Sequence, residues 1–388
     1  MLTLQSLLAR WRAIGLLVGL LFLQTASSGR LVAQEVTPPV DWELTSLTEP
    51  TQRLFAAAGG ALFASASQRL LRSDDGGATW LPIRLPANST VAAVDPTNAD
   101  IQYAAGGEGL YRTDDDGASW RLSLRYGPSI GYEVSRLAVS AADHDLLLVA
   151  MRGSPGASSM AYLRSLDGGQ TWQVLQTEQL SLCSWSVLLL QPHPMDARRV
   201  FRAAACLAGR TFGAPLEASS DTGATWAAIY NADPSDRPLG GYPLVLAASR
   251  AAPGRYYLAA NRDARLGGSG VFRSDDDGVT WTGVLTSRGG GTPGYQGPDD
   301  DPDAPNVRLG GLVTDPGDVD RVYVGRLSYT QYPPQDPVAG GVLASLDGGT
   351  SWNPLGQDLG GVNDLILGGD GQTLYAATNQ GVWRIMRR

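Results

Sequence analysis

The sequence predicts an all-β fold, a single seven-bladed β-propeller built from four-stranded antiparallel blades. Three observations predict it. An eight-residue box recurs six times, short β-type runs surround each copy, and the chain ends on a unit that lacks its last strand. The copies are Ser73–Trp80, Thr113–Trp120, Ser165–Trp172, Ser219–Trp226, Ser274–Trp281 and Ser345–Trp352. They share S/T-x-D-x-G-x-S/T-W, and their tryptophans fall 40, 52, 54, 55 and 71 residues apart. Such periods, with about four strands each, are those of propeller blades.

Each element follows from its local chemistry. Runs such as "IQYAAGG", "YYLAANR" and "RVYVGRL" precede the boxes, and "GLYRT" and "GVFRS" lead into them. Their length, β-branched and aromatic content and flanking turn residues mark strands. In the box, Asp75, Asp115, Asp167, Asp221, Asp276 and Asp347 are expected to accept backbone N–H bonds across a turn. The following glycine is expected to supply a positive φ, and the tryptophan to open the outer strand. A phosphate loop would need a lysine and a following helix, and the chain has no lysine at all. The last unit, "VNDLILGG", "TLYAATN" and "GVWRIMRR", has three strands. Residues 41–47, "DWELTSL", are expected to give it a fourth, with Trp42 standing where a box tryptophan would be. That closes a ring of seven and protects its edges; six blades is the alternative.

Composition bounds the function. The 43% hydrophobic content is ample for a core, and the net charge of −8 disfavours nucleic acid as a partner. Residues 1–33 resemble a secretory signal: Arg10 and Arg12 precede an apolar run, Ala13 to Leu23, too short to span a bilayer, and Leu31-Val32-Ala33 offers a cleavage site. The expected domain is then residues 34–388, exported and without a stable membrane span.

The box resembles the Asp-box, or BNR repeat, of sialidases, sortilin-type receptors, xyloglucan hydrolases and a photosystem II assembly factor. The resemblance covers essentially the whole chain after the signal. It implies the propeller fold and a box that closes the hairpin between the third and fourth strands of each blade. It does not imply one activity, because those relatives do unrelated things.

In such blades, A–B and C–D connections share one face, B–C and D–A connections the other. The A–B connections are short ("DPTNAD", "SAADHD", "HPMDA", "DPGDVD") and the C–D connections are the boxes. All long segments, among them "LAGRTFGAP", "SYTQYPPQDPVAGG" and "TSRGGGTPGYQGPDDDPDAPN", belong to the other face. Loops carry function on a fixed scaffold. The expected binding residues on that face are Tyr126, Tyr132, Arg152, Arg210, Phe212, Tyr242, Arg262, Arg265, Tyr295, Arg326, Tyr329 and Tyr332, with Arg125 beside them. Tyr and Arg are common anchors of recognition surfaces, so the expected partner is a protein or a glycan. The simpler reading of any one tyrosine is that it pins a loop.

A glycoside hydrolase using the same face is the alternative. Paired carboxylates would carry it, and Glu133, Asp236 and Asp263 are available with no pattern to pair them. The sialidase Arg-Ile-Pro motif is absent; "PIRLP" near Arg84 is not it. The two histidines, His144 and His193, fall in A–B connections, away from that face. No cofactor or metal is expected: the acidic run 299–303 matches no calcium loop. The two cysteines, Cys183 and Cys206, flank the "PHPMDA" turn. A register set by Gln191 opposite Arg198 would place them face to face, and an exported protein would then be expected to join them.

Overall fold

The computed structural model describes residues 41–126, 131–153, 159–179, 185–206, 215–230, 242–261, 270–286, 308–327, 340–356 and 358–387. Seven four-stranded antiparallel sheets form a ring, a seven-bladed β-propeller. Blade I is β2 (Thr51–Ala56), β3 (Leu62–Ala66), β4 (Arg69–Ser73) and β5 (Leu81–Ile83). Blade II is β6 (Ser89–Val94), β7 (Gln102–Gly106), β8 (Gly109–Thr113) and β9 (Arg121–Arg125). Blade III is β10 (Tyr132–Val139), β11 (Leu147–Gly153), β12 (Ser159–Ser165) and β13 (Gln173–Gln179). Blade IV is β14 (Trp185–Pro192), β15 (Val200–Cys206), β16 (Leu216–Ser219) and β17 (Ala227–Tyr230). Blade V is β18 (Tyr242–Ala248), β19 (Tyr256–Asn261), β20 (Gly270–Ser274) and β21 (Thr282–Thr286). Blade VI is β22 (Arg308–Thr314), β23 (Val322–Leu327), β24 (Gly341–Ser345) and β25 (Asn353–Pro354). Blade VII is β26 (Val362–Leu367), β27 (Thr373–Thr378), β28 (Gly381–Met386) and, from the other end of the described chain, β1 (Glu43–Leu44).

The inner strands touch in sequence around the ring, and β26 meets β2 to close it. The core is not central. It is divided into seven apolar wedges, one at each junction between blades. The II–III wedge joins Tyr103 and Leu110 to Leu137, Leu147 and Leu163; the IV–V wedge joins Phe201 to Tyr256 and Phe272. Second strands are therefore the most buried, as all six residues of β27 show, because they have a blade on each side.

Closure of blade VII uses backbone and side chains together. Glu43 faces Arg384 and Leu44 faces Trp383. The pairing continues through Thr45 N to Val382 O (2.9 Å) and Val382 N to Leu47 O (2.9 Å). Gly381 sits at φ +125°, and a Cβ there would come within 2.1 Å of Leu47 O. Only glycine allows the two chain segments to pass that closely.

The register of blade IV corrects one expectation. Gln191 faces Phe201 rather than Arg198, and Cys206 faces Trp185 rather than Cys183. The "PHPMDA" connection is longer than a tight turn, and a bulge between Val187 and Leu189 shifts the pairing again. Cys183 itself lies outside the described residues, so the argument that set the two cysteines face to face no longer holds.

Candidate functional site: one face consumed by the fold, one face and a channel left open

The box face is built from six copies of one hydrogen-bond set. In the first copy, Ser73 Oγ donates to Asp75 Oδ1 (2.8 Å) and accepts from Gly77 N (2.8 Å). Thr79 donates its N–H to Oδ1 (2.8 Å) and its hydroxyl to Oδ2 (2.6 Å) of Asp75. Asp115, Asp167, Asp221, Asp276 and Asp347 repeat this pattern. Two successive residues take positive φ in each turn, as Gly76 (68°) and Gly77 (89°) do. The second glycine has a further reason to lack a side chain. A Cβ on Gly77 would meet Thr45 at 2.8 Å, and one on Gly117 would meet Ile83 at 2.5 Å. Each box thus presses against the outer strand of the preceding blade.

The tryptophans staple the same junctions. Trp120 Nε1 donates to Arg84 O (2.7 Å), Trp281 Nε1 to Ile229 O (3.0 Å) and Trp352 Nε1 to Val284 O (2.9 Å), each in the preceding blade. Trp42 does the same to Leu355 O (2.7 Å), so it fills the tryptophan place in the blade that has no box.

Arginines bind each junction from the other side, which sequence reading missed. Arg72 pairs with Asp116 across I–II (2.9 Å), and Arg112 donates to Gly168 O across II–III (2.6 Å). Arg164 donates to Asp221 O across III–IV (2.9 Å), and Arg199 to Asp277 across IV–V (2.7 Å). Arg273 donates to Gly348 O across V–VI (2.6 Å), Arg387 pairs with Asp315 across VI–VII, and Arg384 donates to Gly76 O across VII–I (2.9 Å). The legible signal was the arginine directly before four of the boxes, in β4, β8, β12 and β20. A planar fork reaching a carbonyl is a task guanidinium does better than ammonium.

The hydroxyl of Thr79, then its N–H, holds the Asp75 carboxyl down to about 2; Ser351 does the same for Asp347, also about 2. The other four box carboxyls are lowered for the same reason. A carboxyl lowered in the folded state stabilises the fold above its unfolded value, near 4, and that contribution is lost as pH falls through the folded value. The melting temperature should therefore hold down to about pH 4 and fall between about pH 4 and 2, as calorimetry at graded pH can show. Asp75→Asn should lower the melting temperature at pH 7 and leave a smaller drop on acidification. An unchanged melting temperature would exclude a structural role for this carboxylate.

The opposite face collects the B–C and D–A ends of the strands. There Glu133 and Arg152 face each other on β10 and β11 and form an exposed ion pair at 3.1 Å. Arg326 is half-buried and donates to Gly340 O (2.7 Å); burial lowers its guanidinium from the usual value. Arg125 is exposed at the end of β9. Tyr132 is partly buried against the II–III wedge. Tyr126 corrects an expectation: it is 4% exposed within that wedge, and burial raises its hydroxyl well above the usual value. It is a pinned core residue and not a contact residue. Tyr242 pairs with Asn261 through its backbone. Arg210, Phe212, Arg262, Arg265, Tyr295, Tyr329 and Tyr332 lie outside the described residues, as do Asp236, Asp263 and the acidic run 299–303. The structure thus brings Glu133 to Arg152, and the Glu133 charge reaches the buried Tyr126 hydroxyl.

Both histidines lie between first and second strands, on the box side. His193 is nearly buried; its Nδ1 accepts from Met195 N (3.2 Å) and Asp196 N (3.1 Å) and its ring meets Tyr256 edge-on. Burial, then the Arg199 charge, lowers it. Among the described residues no group of three His, Cys, Asp or Glu is placed to hold a metal ion.

The ring also encloses a channel. A cavity of about 500 Å³ is lined by inner strands and by A–B connections, and its charged lining residues are Arg53, Arg136, Arg250 and Asp364. A second space of about 550 Å³ continues it toward Gly369 and Pro316 on the box side. These four charged residues were not anticipated from the sequence. For Arg53, Arg136 and Asp364 the signal was a charge within otherwise apolar first strands, as in "RLFA", "SRLAV" and "NDLIL".

Comparison with known proteins bears on fold. No protein-family profile matches the sequence, and no curated protein matches it. Solved propellers do. The GH74 xyloglucanase from Xanthomonas campestris aligns with a TM-score of 0.60 at 18% identity, over 89% of this chain and 53% of that one. YCF48 bound to D1 peptide aligns at 0.56 and 14%, over 91% and 98%. The extracellular domain of a putative one component system from B. thetaiotaomicron aligns at 0.54 and 8%, over 89% and 40%. The likeness is one of fold. This chain spans about half the length of the xyloglucanase and nearly the whole of YCF48.

Proposed function

We propose that this protein is an exported Asp-box propeller that binds a protein or a glycan through its B–C and D–A face. One observation carries the reading. The box face is occupied by bonds that hold neighbouring blades together, at every one of the seven junctions. The long connections all join strand ends that lie at the opposite face. A scaffold trimmed at one end and elaborated at the other is built to present the elaborated end. The exposed Glu133–Arg152 pair stands at its rim. Export is supported by Arg10 and Arg12 ahead of the short apolar run 13–23.

The fold itself serves hydrolases, a protein described as bound to a peptide, and an extracellular sensor domain. The test must therefore separate binding from turnover. The purified protein is applied to a glycan array and incubated with chromogenic glycosides. Retention on glycans without turnover supports the binding module, and loss of retention in Arg152→Ala would place it on this face. Turnover abolished by Glu133→Gln would replace this reading with a hydrolase.

A further inference from the structure

The A–B connections of blades II to VI are built on one plan. Asp95, Ser140, His193, Ser249 and Asp315 hold the same place, just after or at the end of the first strand. Each donates its N–H to the carbonyl six residues on, at 2.9 to 3.0 Å: Ile101, Leu146, Arg199, Arg255 and Arg321. The side chain of the same residue then caps the turn, accepting from backbone N–H groups two or three residues ahead. Asp95 Oδ1 accepts from Thr97 N (2.8 Å) and Asn98 N (3.2 Å), and Ser140 Oγ from Ala142 N and Asp143 N (both 3.2 Å). Ser249 Oγ accepts from Ala252 N (3.2 Å) and Asp315 Oδ1 from Gly317 N (2.8 Å). Blade IV does this with an imidazole: His193 Nδ1 accepts from Met195 N (3.2 Å) and Asp196 N (3.1 Å).

A hydroxyl or carboxylate oxygen keeps its lone pairs throughout the range near neutrality. An imidazole nitrogen accepts only while it carries no proton, and histidine is the side chain that takes one up between about pH 8 and 5. A proton on Nδ1 would point at two N–H donors. The ring is 8% exposed, 6.3 Å from Phe201 and edge-on to Tyr256 at 6.0 Å. A half-turn would only put a carbon where Nδ1 stands. The charges around it come from two blades: Arg199 and Arg250 oppose the imidazolium, while Asp196 and Asp277 favour it. Asp277 is already engaged by Arg199 (2.7 Å) and by the Tyr256 hydroxyl (2.9 Å). Burial, first, and the Arg199 charge hold the imidazole below its usual value. A value lowered by the closed turn means that its stabilisation is complete above the usual histidine value of about 6.5 and is lost as pH falls through the lowered one.

We propose that His193 is a proton-operated latch on this turn, closed at neutral pH and opened by mild acid, at the box-side end of the channel. Pro192 and Pro194, on either side of it, line the channel together with Arg250. The opening is local. Met195 N and Asp196 N lose their acceptor and the turn leaves the channel wall. The Arg199–Asp277 and Tyr256–Asp277 bonds still join blades IV and V. The four oxygen-capped turns do not respond in this range. Because the ring stays closed, its melting temperature changes little there, and the effect is read at the turn itself. The latch is independent of the binding face, which lies at the other end of the strands.

Amide hydrogen exchange at about pH 7.5 and about pH 5 tests this, corrected for intrinsic exchange. Protection of Met195 and Asp196 should fall by about tenfold or more on acidification, since one bound proton shifts an opening equilibrium by up to about tenfold per pH unit. Protection of Ala142 and Asp143, capped by Ser140, should not change. His193→Asn supplies an acceptor that takes up no proton in this range, and should keep Met195 and Asp196 protected at both pH values. In His144→Gln, which leaves His193 as the single histidine, nitrogen NMR should show Nδ1 bare at about pH 7.5 and protonated at about pH 5. Unchanged protection of Met195 and Asp196 in the wild type would overturn the proposal. So would an equal loss at Ala142 and Asp143, an equal loss in His193→Asn, or a proton on Nδ1 at the higher pH.

Discussion

Removing residues 34–48 should convert the ring into an open arc of markedly lower stability. The deleted segment contains β1, the outer strand of blade VII, and Trp42, which is 4% exposed in the VI–VII wedge. The indole gives its N–H to Leu355 O. The backbone of Thr45 and Leu47 is bonded to Val382, and Ser46 N donates to Gly77 O (3.2 Å) in blade I. One short segment thus joins blades VI, VII and I. The point variant Trp42→Ala isolates the packing term and should cost about 3–5 kcal/mol, the usual penalty for truncating a buried large aromatic. The deletion should cost more, since it also leaves β28 as an unpaired edge. Denaturant midpoints of the two variants measure this; a midpoint unchanged in both would mean that β1 does not hold the ring.

Arg202→Ala should produce a loss of similar size at the III–IV junction. The Arg202 side chain is 6% exposed, pairs with Glu217 at 2.7 Å and donates to Gln176 at 2.8 Å. It lies over Tyr162 (4.5 Å) and Trp226 (4.3 Å), so the two rings hold its guanidinium. Truncation removes that stack and leaves Glu217 facing an apolar junction. Breaking a buried pair by removing one partner costs about 3–5 kcal/mol, and the partial exposure of Glu217, 27%, places this case near the low end. Arg202→Met with Glu217→Leu should recover most of the loss, because an apolar pair of similar volume carries no desolvation penalty. If the double variant is as unstable as Arg202→Ala, the stack on Tyr162 and Trp226 is the stabilising contact and the ion pair is not.

The blade count was readable from the sequence because a propeller repeats one local solution. A box such as Ser73–Trp80 closes by bonds between residues at most four apart, Ser73 with Gly77 and Asp75 with Thr79, so its chemistry is written locally. The two faces were readable too, since the sorting of A–B from B–C connections follows from strand order alone. Tertiary structure decided the rest. Tyr126 lies beside a long connection in sequence, yet its ring is drawn into the II–III wedge because Tyr103 and Leu137 offer it apolar surface there. Cys206 faces Trp185 because the connection pairs Gln191 with Phe201 rather than Arg198, a three-residue change, and the bulge near Val187 moves the register back by one; neither has a signature in residue type. The arginines of the seven junctions and the charges of the channel escaped notice for a common reason. Arg384 and Gly76 stand 308 residues apart, and Leu54 and Asp364 310; only closure of the ring makes them neighbours. A strand pattern fixes which residues are buried, while the partner across a junction is fixed by how many blades complete the circle.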